Sequence, residues 1–581
     1  MELKPSSLTR SPNALALATL LGVLYLLTAL LAAWATYDRG LAQQRFSLLA
    51  VGVLAALAIA WLGQWRGEAA LALAGLACAG LAAGVAAYFL LTYDWQALQG
   101  DAKPGFELFL RLGLWIQAHR PAVPVPEDIQ RNVAGSALGL TTPLAAGSVA
   151  WCLARRRFHL LAWPALAAVL FSAFTLAMTM SRGALLGVGV GLAVAAYLAW
   201  RRRAALAPQA RRLADLAVAA VGLAGAVGLF VLLTRSPLSD QSAASRPQLW
   251  AWATDLIADY PFTGSGLGVT MMVHATYLLI IHVGFISHMH NLFLQIGIEQ
   301  GIPGMAAFIA WVAVAWANVL VAYGRRASLS LVAAAVVALS ALVVHGMFDA
   351  VPFYSRLASL AFLPLGFAVG LTAPAAAQRA ASSAGRPRVS PAVTVAVALL
   401  AVALVLTATL FSQRGQAALQ TNLAAVAQTR AELGVYSWPE WPIQDALRRS
   451  PQVDLAPAVA RYAAALALDP RQPSANRRLG QIELSRGQYA DARRHLEMAY
   501  QQAPARQANR YLLGESYAIE GQVEEAVALW RTTSSQLWWQ EDWLARAVLT
   551  GREYWYTSIG EPQRAEGIRQ ARQRLASEGR P

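Results

Sequence analysis

Cysteine and charge are what this chain has least of. Two cysteines occur in 581 residues, Cys78 and Cys152. Both lie inside apolar runs and far apart in sequence, which excludes a disulfide framework and a cysteine-based metal site. Charged residues make up 14% of the chain against 57% hydrophobic, with a mean hydropathy of +0.43. So little polar surface cannot cover a soluble globule of this length. Acidic residues are the scarcer sign, 32 against 47 basic, for a net charge of +15. The first apolar run, reaching Trp34, has no small-residue cleavage site behind it, so it is read as a retained helix and not as a removed signal peptide.

What is abundant is hydrophobic length. Runs able to cross roughly 30 Å of hydrocarbon begin near Ala14, Phe46, Leu71, Val133, Leu160, Ala184, Leu213, Ile302, Leu329, Leu357 and Val393. The expected fold is therefore all-α: a polytopic helical membrane protein of about eleven spans. Arg155 to Arg157, Arg201 to Arg203 with Arg211 and Arg212, Arg325 with Arg326, and Arg379, Arg386 and Arg388 fall in alternate loops. Basic loops face the cytoplasm, which predicts a multi-pass protein of the inner (cytoplasmic) membrane with its C-terminal region outside. The net charge is then topological arginine plus contact with anionic membrane lipids, and no nucleic-acid partner is expected.

The expected domains are a membrane domain over 1–411 with a large extracytoplasmic loop at about 234–300, a linker over 412–453, and a soluble helical domain over 454–581. In the last, Leu479-Gly480, Gly487-Gln488 and Ala492 recur as Leu513-Gly514, Gly521-Gln522 and Ala526 with an offset of 34 residues. That is the period of a tetratricopeptide helix-turn-helix unit, in which small residues let two helices approach. Such an array either offers a concave surface to a partner protein or serves packing alone.

The polar residues of interest collect on the outer face. Arg182, in Ser181-Arg182-Gly183, is costly there unless it snorkels to headgroups or binds an anion. Arg246 opens a helix expected over Pro247 to Asp259, with Trp250 and Trp252 suited to the membrane interface. It reads either as a solvated loop arginine or as half of a two-arginine phosphate clamp. Gly264, Gly266 and Gly268 have no strand-turn-helix context for a dinucleotide, so they are expected to permit a tight turn or a close backbone approach. His288 and His290, two residues apart at the start of a helix, are expected to face different sides, and with no HExxH spacing or cysteine pair no metal is expected. One of them suits a general base or a diphosphate partner, since imidazole exchanges protons near neutral pH. Asn291 follows them. Asp349 is placed either to orient a histidine or to pair locally with Arg356, and Asn132 opens a span from outside as a helix-terminus residue.

Taken in order, Ser181-Arg182-Gly183, the Arg246 to Trp250 block, Pro261 to Gly268, and His290-Asn291-Leu292 with Gly301-Ile302-Pro303-Gly304 resemble the O-antigen ligase and polymerase superfamily of bacterial membrane glycosyltransferases, over roughly Asn132 to Leu371. The resemblance implies inverting transfer of a preassembled glycan from an undecaprenyl diphosphate carrier to an acceptor lipid, protein or glycan, with no cofactor and no metal. It assigns Arg182 and Arg246 to the donor diphosphate and His290 to activation of the acceptor hydroxyl. His288, Asn291, Asp349, Asn132 and Arg356 are candidate supporting residues. Asn132 resembles an asparagine of the protein-glycosylating branch, which the tetratricopeptide tail also resembles. Two alternatives stand beside the ligase: a polymerase of lipid-linked repeats within the same superfamily, and a membrane solute or anion transporter.

Overall fold

The computed structural model describes residues 12–98, 106–121, 129–204, most of 207–225, 246–278, 286–372 except 352, and 411–577 except 438–439, 441–442 and 533–547. Among the described residues every element is helical. The chain begins with three long apolar helices, α1 (Pro12–Ala35), α2 (Arg39–Arg66) and α3 (Glu68–Thr92), followed by a shorter amphipathic α4 (Glu107–His119). Three more follow: α5 (Arg131–Ala154), α6 (His159–Met178) and α7 (Arg182–Arg203). Then come α8 (Arg246–Asp259), the one-turn α9 (Thr270–Ala275), the long α10 (Leu292–Gly324), α11 (Leu329–Gly346) and the short α12 (Leu363–Gly370).

Eight of the described helices, α1 to α3, α5 to α7, α10 and α11, are long and apolar enough to cross a membrane. Together with their composition they make this a multi-pass helical membrane protein. The spans expected from Leu213 and Val393 lie largely or wholly outside the described residues. The span expected from Leu357 takes another form. Its apolar segment, Ala358–Gly370, has 13 residues and opens as a 3-10 turn. The chain from Ser355 to Leu371 runs beside α2 from Arg45 to Gln64, about 28 Å at 1.5 Å per residue and close to the hydrocarbon thickness. It packs against α2 and α10.

The core of the bundle is α11, clasped between α5 and α7. Close approach is made possible by small residues, as membrane packing requires. A Cβ on Gly187 would sit 2.9 Å from the Ala341 backbone, and one on Gly191 2.6 Å from that of Val337. α10 breaks at Gly301, whose φ of +72° and ψ of −176° are not helical, and Pro303 has no N–H to continue the ladder. The N–H freed at Ile302 donates to the Pro261 carbonyl at 2.8 Å. The loop after α8 is thus stitched into the break. There Gly264, Gly266 and Gly268 all take positive φ, and a Cβ on Gly264 would fall 2.2 Å from the Glu299 carbonyl oxygen. The close approach expected of these glycines is what they provide.

After the membrane helices come α13 (Gln413–Leu433), α14 (Gln444–Arg449), α15 (Ala456–Leu468), α16 (Pro473–Arg486), α17 (Tyr489–Gln502), α18 (Gln507–Ala518), α19 (Val523–Arg531), α20 (Leu549–Ser558) and α21 (Pro562–Ser577). α16 packs on α17, α18 on α19, and α20 on α21. Gly487 and Gly521, 34 residues apart, turn α16 into α17 and α18 into α19 with φ of +82° and +80°. Gly480 admits Leu496, and Gly514 admits Trp530.

This region is joined to the loop helix α8. Leu249, Trp252, Leu256 and Ile257 of α8 share one buried cluster with Met289, Ile298 and, from α13, Ala425, Val426 and Leu433. Each Leu, Ile, Val or Met side chain among them withdrawn from water contributes about 1.5–3 kcal/mol. Trp252 therefore does not sit at the membrane interface as expected. It is buried, donates its indole N–H to Gln507 Oε1 at 2.9 Å and packs on the His274 ring.

Candidate functional site

The chain between α9 and α10 decides where the histidines point. Residues 287–291 are not helical, and His290 adopts φ +47°, the left-handed region that few side chains take. Helix α10 starts only at Leu292, capped by Asn291, whose Oδ1 accepts the N–H groups of Phe293 and Leu294 at 3.0 and 3.1 Å. Asn291 also donates from Nδ2 to the Met347 carbonyl at 3.2 Å, tying this turn to the end of α11.

His288 and His290 consequently do not face different sides, as a helical start would have made them. Both turn to Asp349, just beyond α11, with their Nδ1 atoms 3.7 and 3.6 Å from its Oδ1. Their rings meet edge to face at 4.2 Å between centroids. The other carboxylate oxygen accepts from Asn132 Nδ2 at 3.1 Å, and the Ala350 N–H donates to Oδ1 at 2.8 Å. Gln130, not Asn132, is the cap of α5. Asn132 sits in the first turn with its side chain spent on Asp349.

Burial by itself would raise the Asp349 carboxyl, but His290, His288 and His345 around it outweigh that and hold it well below the usual carboxylate range. A buried carboxylate kept ionised among histidines can orient a ring and stabilise the proton that ring acquires. His288 is pushed down to about 4, by burial first and by the charge of His290 second, with Asp349 opposing. It is therefore neutral at physiological pH, and its Nδ1 accepts the His290 N–H at 3.3 Å.

Arg246 opens α8 within the field of this cluster. Burial and the neighbouring Arg182 lower its pKa while Asp349 opposes them, and its Nε is buried with no hydrogen-bond partner among the described residues. Arg182, by contrast, is exposed at the first turn of α7. Gly183 behind it lies flat against the His345 ring, where a Cβ would be 2.5 Å from Cδ2. Two guanidinium groups from distant parts of the chain thus come near one carboxylate-histidine cluster. Arg356 stands on the wall of a cavity of about 790 Å3 beside the cluster, with Arg45, Tyr88, Val133, His288 and Tyr354.

His288, His290 and Asp349 each bring a ligand atom within 4.8 Å of the others, a grouping that could hold a metal ion. Of these atoms the His288 Nδ1 already accepts the main-chain N–H of His290, and each Asp349 oxygen accepts one N–H.

Against this geometry stands one finding from known proteins. Residues 166–309 match the family described as O-Antigen ligase. The match supports the O-antigen ligase superfamily and, with it, a ligase-like enzyme that uses a lipid-linked glycan donor and an acceptor. No curated protein matches the chain. The O-antigen ligase segment carries Arg182, Arg246, His288, His290 and Asn291, whereas Asn132 and Asp349 lie outside it. His345 is the site neighbour that sequence reasoning passed over. The available signal was its spacing, one helical turn before Asp349.

His274, 1% exposed against Trp252, has its Nε2 without a partner among the described residues, and burial pushes it down to about 3. A histidine with a depressed folded pKa contributes stability that is complete above its unfolded value near 6.5 and is lost as pH falls below it. At pH 5 the loss from His274 is about 2 kcal/mol, and His288 adds in the same direction. Thermal melts at pH 7.5 and 5.0 should therefore separate, and His274→Phe should narrow the gap. A gap unchanged by that substitution contradicts the assignment.

Proposed function

We propose that this protein transfers a preassembled glycan from an undecaprenyl diphosphate carrier to an acceptor hydroxyl on the extracytoplasmic face of the inner membrane, without a metal. The observation that carries this reading is the convergence of His290 on a buried, ionised Asp349 within the field of Arg246, inside or beside the segment that matches the ligase family.

With Nδ1 turned to Asp349, the nitrogen of His290 left to take a proton is Nε2. The acceptor oxygen attacks the anomeric carbon as its proton passes to Nε2, and the carbon–oxygen bond to the diphosphate breaks with its electron pair leaving on the phosphate. Arg246 and Arg182 meet that developing charge. One displacement inverts the anomeric carbon. Asp349 stabilises the imidazolium, while Asn132 and Asn291 hold the acid and the turn. The glycine-turned pairs α16 with α17 and α18 with α19 support a tetratricopeptide-like array, placed with α8 on the outer face.

The test is purified protein with undecaprenyl diphosphate oligosaccharide and a mixture of lipid, protein and glycan acceptors. Release of carrier diphosphate matched by acceptor glycosylation, and insensitive to chelators, is the expected result. Absence of both turnover and donor binding overturns the reading. Asp349→Asn keeps the shape but removes the charge behind His290 and should slow turnover on the order of 10²-fold. A rate equal to the native one would remove Asp349 from the mechanism.

A further inference from the structure

The loop helix α8 has Arg246 at one end and Asp259 at the other, about 20 Å apart along a rigid helix. Asp259 is buried, and its charged partners come from the far end of the chain. Arg477 and Tyr277 bond its Oδ2, Arg478 Nε donates to the same oxygen at 2.7 Å, and Arg506 approaches Oδ1 at 3.8 Å. Arg506 also reaches Asp255 one turn earlier on α8, at 3.4 Å. Arg478 continues to the Tyr260 hydroxyl at 2.8 Å, and Tyr260 to Thr429 of α13 at 2.6 Å.

A second, separate tie holds the following loop. Asn422 of α13 accepts the N–H groups of Phe262 and Thr263 at 2.9 and 3.2 Å and donates to Thr263 Oγ1 at 2.8 Å. That loop fills the break in α10, whose first turn follows His290. Simple tethering of a soluble region to a membrane domain needs no buried charge cluster, which is costly to desolvate and is stabilised only when its geometry is met. What such a cluster contributes is a fixed position.

We infer that the C-terminal helical region is a positioning element of the transfer site: through Arg477, Arg478 and Arg506 on Asp259 it sets where Arg246 stands relative to His290. This rests on the donor role proposed for Arg246 and adds residues that touch neither donor nor acceptor. Misplacement of a charge clamp by about 1 Å costs up to 10²-fold. The loss should therefore travel through Arg246 and vanish when Arg246 is already gone.

The experiment is a binding titration of full-length protein with undecaprenyl diphosphate, comparing Asp259→Asn, Arg246→Ala and the double variant. Asp259→Asn is expected to weaken binding roughly tenfold in the native background and not at all in the Arg246→Ala background, the non-additivity that marks coupled sites. Losses that multiply in the double variant, or native affinity in a folded Asp259→Asn chain, overturn the inference alone. Native affinity in Arg246→Ala overturns the donor role of Arg246 and the inference with it. If Asp259→Asn does not fold, Gln507→Leu, which removes the bond from Trp252 together with one to Tyr511 on its own helix, carries the same comparison with a shift of about threefold.

Discussion

His290→Asn is expected to yield a folded protein that binds donor and does not transfer. Asparagine tolerates the left-handed backbone that His290 occupies, so the turn into α10 survives. The loop after α8 still fills the break at Gly301, and Asn291 still caps the helix. What disappears is the imidazole between Asp349 and the acceptor, and with it a loss of roughly 10²- to 10⁴-fold in turnover. His290→Ala should lose as much activity and some stability as well, because alanine resists positive φ. The measurement is turnover at saturating donor beside donor affinity. Transfer at the native rate in the asparagine variant would take the base role away from His290 and turn attention to His288.

Arg246→Ala carries the second large effect, of a different kind. Its side chain is half-buried at the start of α8, with Nε buried and unpartnered among the described residues, a state that favours an anion as its complement. Removing it should cut turnover by about 10²- to 10³-fold, in line with loss of one stabilising donor at a developing charge, and should weaken donor binding. Arg246→Lys should recover little, since a point ammonium does not reproduce the planar fork. Arg182→Ala should cost less, because Arg182 is exposed and works in higher dielectric. If lysine at 246 restores full activity, bidentate phosphate recognition there is wrong.

Much of this is legible in the sequence. Apolar length announced the spans, because hydrocarbon thickness allows few solutions. Pro261 to Gly268 announced a close backbone approach, and the helix from Arg246 to Asp259 formed where expected. For Asp349 the sequence offered a histidine or Arg356, but its partner Asn132 was not readable. Asn132 lies 217 residues away in sequence, and pairing at that distance leaves no local pattern. The facing of His288 and His290 was misjudged because periodicity presumes a regular backbone, and one left-handed residue at 290 cancels it. Trp252 was assigned to the membrane interface by residue type, when a tertiary contact with Gln507 had already claimed it. The segment from Leu357 had the composition of a span, but its opening 3-10 turn was not legible in that composition.

The 218 residues that separate Asp259 from Arg477 also set an order of events. When α8 leaves the ribosome its carboxylate has no counter-ion, and Leu256 and Ile257 have no α13 to cover them. At about 5–20 residues per second, the arginines arrive some 10–40 s later. Helix α8 is thus among the last parts of the fold to be sealed, so a chain interrupted before α16 leaves the transfer site unfinished even with every membrane helix in place.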